Sequence, residues 1–342
     1  MRIVPAVAEE LAPALADALD GGEPILPLPA DPAQAARVLA AVRPDEPLEH
    51  DDVCLVVPTS GSTGEPKGVL LTAACLRASA TATLARLGGP GSWDLQLPVT
   101  HIAGIQVLVR TLLGGGPRRY TALVPTQLRR ALDGGADLSG YDAVLLGGAA
   151  APPALLARAR AAGVRVVTTY GMSETSGGCV YDGIPLDGVT VQVGDRIVLG
   201  GPVLARGYRL RPDLTAASFV GGAFLTNDVG ALTGGVLEVL GRTDDMVVTG
   251  GENVAPAAVE AALAEHPAVR DVAVLGVPDD EWGQRVVAVV VLRAPLSLPE
   301  AREHVAARVS RVAAPRELRI VDTLPVLPTG KIDRAALRSG VT

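Results

Sequence analysis

The feature that most limits how this chain can fold is a polar, glycine-rich run at residues 59–68, Thr-Ser-Gly-Ser-Thr-Gly-Glu-Pro-Lys-Gly. It follows an apolar segment, residues 53–57, that is typical of a buried strand. The run has too little side-chain bulk to pack a core, so we expect a loop held at the end of that strand. Glycine N–H groups can converge on an anion, hydroxyls add donors, and Lys67 supplies a positive charge. The natural ligand of such a loop is a chain of phosphates.

Two other interpretations of this run are weaker. It is not a Walker A loop, because Gly61 and Gly64 are only three residues apart and Lys67 is followed by Gly68 instead of a hydroxyl residue. A flexible linker is the plainer alternative. A linker, however, has no need of a Pro-Lys-Gly end or of flanking apolar strands.

Lysine is rare in this chain, which makes its positions informative. Of the 30 basic residues only two are lysine, Lys67 and Lys331, and both lie in loops that contain glycine, Glu-Pro-Lys-Gly and Pro-Thr-Gly-Lys. The chain uses arginine at its other basic positions. These two sites therefore favour a compact ammonium group over a planar guanidinium.

Length and composition predict a globular protein with two domains. The chain has 342 residues, of which 48% are hydrophobic and 20% charged, and a formal charge of −7 that gives no reason to expect nucleic acid. Cys54, Cys75 and Cys179 are odd in number and lack C-x-x-C spacing, which argues for a reducing compartment and against disulfides or zinc. No apolar run suits a signal peptide or a membrane span, so we expect a cytoplasmic protein.

Strand-like and helix-like segments alternate through the first half of the chain, which predicts an α/β fold with a largely parallel sheet. The predicted helices lie near residues 6–19, from 32 onwards, 72–87 and 103–113. The predicted strands lie near residues 24–28, 53–57, 69–71, 94–99, 120–125, 143–146 and 164–168.

The pattern changes twice towards the C-terminal end. Residues 183–239 carry short β runs divided by glycines, which predicts a small β subdomain. A compact α+β unit follows, with helices predicted near 255–265 and 299–311 and strands near 269–277, 286–292 and 319–321. We therefore divide the chain into a large N-terminal domain, residues 1–241, a hinge at 242–245, and a small mobile C-terminal domain, residues 246–342.

Ligands of α/β sheets bind where loops leave the carboxyl ends of strands. Four predicted loops fit that description, at residues 59–68, 100–101, 147–149 and 168–175. In the last of them, Tyr170 offers a stacking face for a base, and Glu174 offers a carboxylate for Mg²⁺. Asp228 can accept hydrogen bonds from ribose hydroxyls, and Arg242 can donate them.

Together these motifs resemble the adenylate-forming superfamily, which contains acyl-CoA synthetases, adenylation domains of peptide synthetases, and luciferases. The resemblance runs from about residue 53 to residue 335. Its signatures stand in the family's order: TSGSTGEPKG, GGAAAP, TYGMSET, TND in place of the usual Thr-Gly-Asp, GRTDDMVVTGGENVAP, and LPTGK. One such match is weak, but this series in register is specific. The segment before the phosphate loop is shorter than in most members, which implies a reduced N-terminal subdomain.

The resemblance implies a role for each matching residue. The ATP-binding set would be Thr59, Ser60, Gly61, Ser62, Thr63, Gly64 and Lys67 at the β- and γ-phosphates, Gly147, Gly148, Ala149, Thr169, Tyr170, Gly171 and Met172 around adenine, and Asp228 and Arg242 at the ribose. The catalytic set would be Lys331, the adenylation lysine, with Glu174, Ser173 and Lys67. Glu174 would hold Mg²⁺, Asp244 would be the hinge, and Gly250 and Gly251 would line the channel for the thiol of coenzyme A.

Three further segments are similar to the compact form of o-succinylbenzoate:CoA ligases of menaquinone biosynthesis: LPVTHIAGIQVLVRTL at 97–112, ALVPTQLRRAL at 122–132, and SETSGGCVYDGIPLDGV at 173–189. The first and last would place Thr100, His101, Ser176 and Gly177 at the acid. The implied partners are a carboxylic acid, ATP and coenzyme A, without nucleic acid or a membrane span. The sheet edges that a shortened N-terminal domain leaves exposed favour a homodimer.

Several alternatives stay open at the level of sequence. The protein could instead be a stand-alone adenylation domain that loads a carrier protein, or a CoA ligase for another aromatic or aliphatic acid. A nucleotide-binding regulator without turnover is disfavoured, because Lys331, Glu174 and Asp228 are all present. His101 could simply cap a helix, and Tyr170 could belong to the core. The arginine pairs at 118–119 and 129–130 are interpreted as solvated faces, or as contacts for the 3′-phosphate of coenzyme A or for a second carboxylate.

Overall fold

The computed structural model describes residues 1–60, 66–326 and 332–339 of the chain. Its helices are α1 (Ala8–Leu19), α2 (Pro32–Val42), α3 (Ala73–Leu87), α4 (Ile102–Leu112), α5 (Pro125–Asp133), α6 (Pro153–Ala161), α7 (Pro212–Ser218), α8 (Pro256–Ala264), α9 (Leu298–Arg308) and α10 (Arg334–Ser339). A short 3₁₀ turn, Ser173–Thr175, adds to these.

The strands fall into several sheets, and their bounds are as follows. They are β1 (Arg2–Pro5), β2 (Ile25–Leu28), β3 (Val53–Ser60), β4 (Pro66–Thr72), β5 (Gly91–Asp94), β6 (Arg118–Leu123), β7 (Ala143–Leu146), β8 (Val166–Met172), β9 (Gly177–Tyr181), β10 (Ile184–Pro185), β11 (Thr190–Val193), β12 (Ile197–Gly200), β13 (Gly207–Tyr208), β14 (Phe219–Val220), β15 (Ala223–Leu225), β16 (Asp228–Thr233), β17 (Val236–Arg242), β18 (Val247–Thr249), β19 (Glu252–Val254), β20 (Val269–Asp279), β21 (Gly283–Leu292) and β22 (Glu317–Ile320).

Several helices begin and end where local sequence dictates. Asp31 caps α2 by accepting a hydrogen bond from the backbone N–H of Gln34 at 2.8 Å, with Pro32 in the first helical position. Thr72 caps α3 in the same way through Cys75. Gly88 ends α3 in the left-handed conformation that suits glycine, with φ +97°.

Two sheets form the large N-terminal part of the molecule. In the first, with strand order β1-β2-β3-β4-β13, the β1, β2 and β3 strands are parallel, and β4 and β13 are antiparallel additions. In the second, β10-β9-β8-β7-β6-β5, the four strands from β5 to β8 are parallel. The predicted α/β fold with mostly parallel sheets is therefore confirmed, with antiparallel strands at the edges.

Helices α3 and α4 pack between these two sheets. Cys75, Leu76 and Ala80 of α3 join the core against the first sheet, whereas Leu84 and Leu87 join the core against the second. A helix with apolar residues all round its circumference is typical of such a doubly covered position. Residues of α3 and α4 thus belong to both cores, and the two helices hold the two sheets in place relative to each other.

The remaining chain forms smaller units. A four-stranded sheet, β11-β12-β15-β14, and the hairpin β16–β17 make up the small β subdomain. Beyond Arg242, strands β18 to β22 form a sheet covered by α8 and α9, with a core of its own that includes Val259, Leu263 and Val290. No helix in the described ranges combines the length and apolar character needed to cross a bilayer.

Two local predictions were wrong. Residues 94–99 do not form a strand, since β5 spans Gly91–Asp94 and pairs in parallel with β6. A Cβ at Gly91 would lie 2.6 Å from the Arg118 carbonyl oxygen, so the glycine permits close strand pairing. Residues 168–172 were predicted as a loop but extend β8 as far as Met172, because β9 pairs with them.

Candidate active site

A cavity of about 660 Å³ opens where the carboxyl ends of β6, β7 and β8 face the β3–β4 hairpin and the small β subdomain. Its walls combine charged residues at one end with apolar side chains at the other. The lining includes Thr59, Lys67, Leu97, Pro98, His101, Ile102, Ala103, Arg110, Ala122, Leu123, Val124, Leu145, Gly147, Gly148, Thr169, Gly171, Met172, Ser173, Glu174, Gly177, Gly178, Tyr181, Arg196, Tyr208, Arg211, Leu214, Ala217, Ser218, Phe224, Leu225, Asn227, Asp228 and Arg242. The cavity is large enough for a nucleotide and a small acid together.

The charged end is built around the carboxylate of Glu174, which is 6% exposed. The Lys67 ammonium lies 2.9 Å from its Oε1 atom, and the Tyr208 hydroxyl donates to the same oxygen at 2.8 Å. The Lys67 ammonium also lies 4.1 Å from the centre of the Tyr208 ring. Burial, together with the charge of Glu174, raises the pKa of Tyr208 well above its ordinary value.

The short 3₁₀ turn after β8 aims Glu174 into the cavity. Gly171 adopts φ +157°, and a Cβ there would overlap the carbonyl oxygen of Gly177, so only glycine allows the two strands to approach this closely. Thr175 donates through its hydroxyl to the Gly177 carbonyl at 2.8 Å and accepts from the Met172 N–H at 2.9 Å. These bonds fix the turn that carries Ser173 and Glu174.

A second group of polar side chains surrounds the carboxylate of Asp228. The Tyr170 hydroxyl donates to its Oδ2 at 2.6 Å, and the Arg242 guanidinium lies 3.5 Å from its Oδ1. The Asp228 N–H donates to the Thr226 hydroxyl oxygen at 3.0 Å. Burial and the Asp228 charge raise the pKa of Tyr170, so its hydroxyl stays a donor. The carboxylate and the guanidinium together can accept from and donate to a pair of ribose hydroxyls.

A buried arginine, Arg110, is also part of the cavity wall. Arg110 of α4 is 3% exposed, and its Nε has no hydrogen-bond partner among the described residues. Its guanidinium carbon lies 4.7 Å from the centre of the Trp93 ring. Burial lowers the pKa of Arg110, because the charged form loses hydration. A buried guanidinium that opens onto a cavity is suited to an anionic group of a ligand.

Most of the predicted site residues that are described lie together on the wall of this cavity. They are Thr59, Lys67, His101, Gly147, Gly148, Thr169, Gly171, Met172, Ser173, Glu174, Gly177, Asp228 and Arg242. Gly61, Ser62, Thr63, Gly64 and Lys331 lie outside the described residues, and of Ser60 only the backbone, in β3, is described.

Other predicted residues lie away from the cavity wall. Thr100 and Ala149 are not among its described lining residues, nor is Tyr170, which acts through Asp228. Ser176 is fully buried, and its hydroxyl donates to the Val203 carbonyl at 2.8 Å. That bond makes Ser176 a structural residue in this arrangement, so the predicted contact of Ser176 with the acid is not supported by the geometry.

Three predicted residues lie towards the second lobe. Asp244 forms a two-pronged ion pair with Arg242, with both distances 2.9 Å. The guanidinium of Arg242 therefore contacts both Asp228 and Asp244. Gly250 and Gly251 adopt φ +61° and +82° in the turn between β18 and β19, and Gly250 lies beside the ring of Trp282.

The residues at the charged end fit a magnesium ion that is also bound by phosphates. No group of three or more His, Cys, Asp or Glu side chains placed for a metal was found in the described parts of the chain. Within the described ranges, Glu174 contributes the carboxylate beside Lys67. This donor set suits Mg²⁺, which usually takes one or two protein carboxylates and completes its shell with substrate phosphates and water.

Sequence reasoning missed Arg110 and Tyr208. Arg110 is one of 28 arginines, and its burial comes from tertiary packing. The sequence held a weak sign of this burial, because Arg110 stands in a mostly apolar helix, four residues after Gln106. Tyr208 had the weaker signal of following a glycine, Gly207, in a chain with nine aromatic residues.

Two protein-family models match most of the chain. Residues 5–120 and 117–208 match the model of the AMP-binding enzyme family, and residues 258–331 match that of the AMP-binding enzyme C-terminal domain. A probable 2-succinylbenzoate–CoA ligase of Mycobacterium tuberculosis is 50% identical over 365 aligned positions, covering 96% of this chain and 94% of that protein. A 2-succinylbenzoate–CoA ligase of Geobacillus kaustophilus is 33% identical, covering 95% and 76%.

Solved structures show the same fold. The o-succinylbenzoate CoA synthetase of Bacillus subtilis in complex with the acyl-adenylate intermediate OSB-AMP superposes with a TM-score of 0.76 at 26% identity, covering 96% of this chain and 80% of that one. The amide bond synthetase McbA of Marinactinospora thermotolerans superposes with a TM-score of 0.80 at 26% identity, covering 98% and 83%. This chain therefore belongs to the AMP-binding enzyme family, whose members couple an acid to a thiol with release of AMP when they act as CoA ligases.

Proposed function

We propose that this protein is an ATP-dependent o-succinylbenzoate:CoA ligase. The observation that carries the choice of acid is Arg110, a buried arginine in the cavity wall. o-Succinylbenzoate has two carboxylates, of which only one becomes the thioester, so the other needs a positive partner. The names of the relatives and of the Bacillus subtilis structure support the same acid.

The first half-reaction makes the acid reactive. A carboxylate is a poor electrophile because its leaving group would be oxide. In the proposed step a carboxylate oxygen bonds to the α-phosphorus of ATP, the bond to the β-phosphate oxygen breaks, and pyrophosphate leaves. No general base is needed, since the nucleophile is already ionised. The barrier comes from bringing two anions together, and fixed positive groups lower it.

The described residues supply parts of this arrangement. Lys67 would bind the β- and γ-phosphates, Asp228 and Arg242 the ribose, and Ser173 the α-phosphate, since all four line the cavity. Mg²⁺, held by Glu174, would supply a Lewis acid that offsets phosphate charge. Lys331 would contact both the acid and the α-phosphate during adenylation. We expect Lys331→Ala to abolish adenylate formation while a preformed acyl-adenylate still reacts with coenzyme A.

The second half-reaction transfers the acyl group. The thiol sulfur of coenzyme A bonds to the acyl carbon, the thiol proton is lost, and AMP leaves with the bonding electrons. Lys331 is not needed for this step. A rotation about Asp244 would remove that lysine and bring Gly250 and Gly251 to the cavity instead. The C-terminal part of the chain would thus serve the two steps in turn.

The test of the acid uses Arg110→Gln with two substrates, o-succinylbenzoate and 4-oxo-4-phenylbutanoate, which lacks the ring carboxylate. We expect the wild-type protein to prefer o-succinylbenzoate, and the variant to lose that preference by about 10- to 100-fold in kcat/KM, the range for a charge-assisted hydrogen bond. The KM for ATP should stay unchanged. Arg77→Gln is the matched control, because Arg77 pairs with Asp20 outside the cavity lining.

The same assay separates the competing functions. An adenylation domain that loads a carrier protein would release pyrophosphate without forming acyl-CoA when free coenzyme A is added. A ligase for another acid would show no preference for o-succinylbenzoate over the analogue. We also propose a homodimer formed through the sheet edges at β1 and β5, which sedimentation velocity over a range of concentrations would test.

A further inference from the structure

We propose that Tyr208 is a positioning residue whose hydroxyl holds the Glu174 carboxylate while Lys67 leaves that carboxylate for the phosphate chain of ATP. The inference rests on the proposed function, because it takes ATP as the ligand. It adds a residue that none of the sequence motifs assigned. It also gives the Lys67–Glu174 ion pair a role in the order of binding.

The contact to be exchanged is the ion pair between Lys67 and Glu174. Both described hydrogen bonds to the Glu174 carboxylate go to Oε1, one from the Lys67 ammonium at 2.9 Å and one from the Tyr208 hydroxyl at 2.8 Å. The ammonium that would bind phosphate is therefore already engaged by a carboxylate. In the proposed order of binding, Lys67 turns from the carboxylate to the phosphate chain and so exchanges one anionic partner for another.

The two donors differ in mobility. Tyr208 lies in β13, which pairs with β4, and its N–H donates to the Thr215 hydroxyl oxygen at 2.9 Å. Its ring packs edge-on against Phe219, with ring centres 5.7 Å apart. Gly207 before it has φ +144°, and a Cβ there would overlap Thr215. The ring of Tyr208 is thus fixed, whereas the long side chain of Lys67 can turn.

The carboxylate of Glu174 is buried and therefore needs a hydrogen-bond donor. If Lys67 left and no donor replaced it, the carboxylate would be buried without a hydrogen bond, which costs free energy. The Tyr208 hydroxyl prevents this, because its bond to Oε1 remains. AMP lacks the β- and γ-phosphates and does not need Lys67 to move. Tyr208 should therefore matter for ATP and pyrophosphate binding, and not for AMP binding.

The experiment is calorimetric binding of ATP, pyrophosphate and AMP to the full chain in the presence of EDTA, without acid or coenzyme A. We expect Tyr208→Phe to weaken ATP and pyrophosphate binding by about tenfold, the order for one hydrogen bond to a charged group. AMP affinity should change by less than about twofold on the same reasoning. Tyr141→Phe is the matched control, since the Tyr141 hydroxyl also donates to a carboxylate, that of Asp94, outside the cavity lining.

A double-mutant cycle with Glu174→Gln distinguishes positioning from general damage. A neutral amide leaves no buried charge when Lys67 departs, so Tyr208→Phe should carry no penalty for ATP in the Glu174→Gln background. If Tyr208→Phe fails to fold, Glu174→Gln alone still decides, because it should bind ATP without Mg²⁺ at least as tightly as the wild-type chain. Weaker binding by that variant would overturn the inference.

Two other results would also overturn it: an equal loss of AMP and ATP affinity in Tyr208→Phe, or additive losses in the cycle. Neither result would count against the proposed ligase function, because each concerns variants and not ATP binding by the wild-type chain. A wild-type chain that binds neither nucleotide would instead overturn the proposed function, and this inference with it.

Discussion

At the scale of single residues, the three cysteines show how burial sets chemistry. Cys54, Cys75 and Cys179 are all free and buried. Burial raises the pKa of the Cys54 and Cys179 thiols to about 12. The thiolate is the reactive form, so these two side chains remain protonated and unreactive throughout the neutral range.

This predicts slow alkylation of Cys54 and Cys179 in the folded protein. With iodoacetamide at pH 8, we expect both thiols to be labelled far more slowly than free glutathione, because their folded pKa values lie well above that pH. In urea the chain exposes them, their pKa values return to the ordinary range, and labelling should become fast. Peptide mass spectrometry measures each site. Rapid labelling of Cys54 or Cys179 without urea would contradict the predicted burial effect.

At the scale of elements, Arg209 stabilises the segment between α2 and β3. Its guanidinium is fully buried and donates to the carbonyl oxygens of Val42, Pro47 and Arg43 at 2.5 to 3.0 Å, and it pairs with Glu49 at 3.0 Å. Arg209 directly follows Tyr208, the last residue of β13, so this network and the charged end of the cavity depend on two adjacent residues. An irregular segment is thus held by one side chain.

Replacing this guanidinium should cost several kcal/mol. We expect Arg209→Met to lower the free energy of unfolding by about 3 kcal/mol, because buried carbonyls and the Glu49 carboxylate lose their donors. Urea unfolding followed by circular dichroism measures it. Arg206→Gln is the control: Arg206 pairs with Asp52 at the exposed surface, and the loss should stay below about 1 kcal/mol. Equal losses in both variants would argue against the network.

Glu49 gives the same element a pH dependence. Burial alone would raise its pKa, but hydrogen bonds from the Leu210 N–H and from Arg209 more than offset this and hold the pKa below 4.5. The contribution of a carboxylate with a lowered pKa is present above its unfolded value and is lost as the pH falls through the folded value. We therefore expect unfolding free energy to fall below about pH 4.5 with a component that Glu49→Gln removes. An unchanged pH profile in that variant would contradict the assignment.

At the scale of the whole molecule, an ion pair connects the chain before the proposed hinge, the first lobe, with the chain after it, the second lobe. Arg129 of α5 forms an ion pair with Asp271 of β20 and donates to the Arg270 carbonyl oxygen. Arg129 was interpreted from sequence as part of a solvated face, or as a contact for coenzyme A or a second carboxylate, and in the structure it contacts the other lobe. Near the proposed hinge, Arg338 pairs with Asp245 at 3.2 Å. These pairs can be broken without exposing either core.

Removing the cross-lobe pair should loosen the lobes without unfolding them. We expect Arg129→Gln to speed tryptic cleavage after Arg242, next to the proposed hinge at Asp244, with a change in unfolding free energy below about 1 kcal/mol. Mass spectrometry of the fragments locates the cut. Arg158→Gln is the matched control, because Arg158 pairs with Asp133 within one lobe. If both variants are cut at the wild-type rate, the contact does not restrain the lobes.

The order of residues was enough to predict the general architecture and several functional candidates. Alternating strand and helix patterns predicted the α/β fold, because apolar periodicity reports which face of an element is buried. The pair Asp31 and Pro32 located the start of α2, since a cap satisfies backbone N–H groups locally. The motifs placed Lys67, Glu174, Asp228 and Arg242 among the functional candidates, and the fold brings these four onto one cavity.

Which residues of a common type are buried, and what they contact, became clear from the folded chain alone. Arg110, Arg129 and Arg209 are indistinguishable by composition, yet one opens onto the cavity, one joins the lobes and one holds a loop. Tyr208 contacts Glu174 across 34 positions of sequence. The physical reason is that burial, desolvation and hydrogen-bond partners depend on segments far apart in the chain, and no local pattern encodes them. Residue type sets what a side chain can do, and packing sets whether it does it.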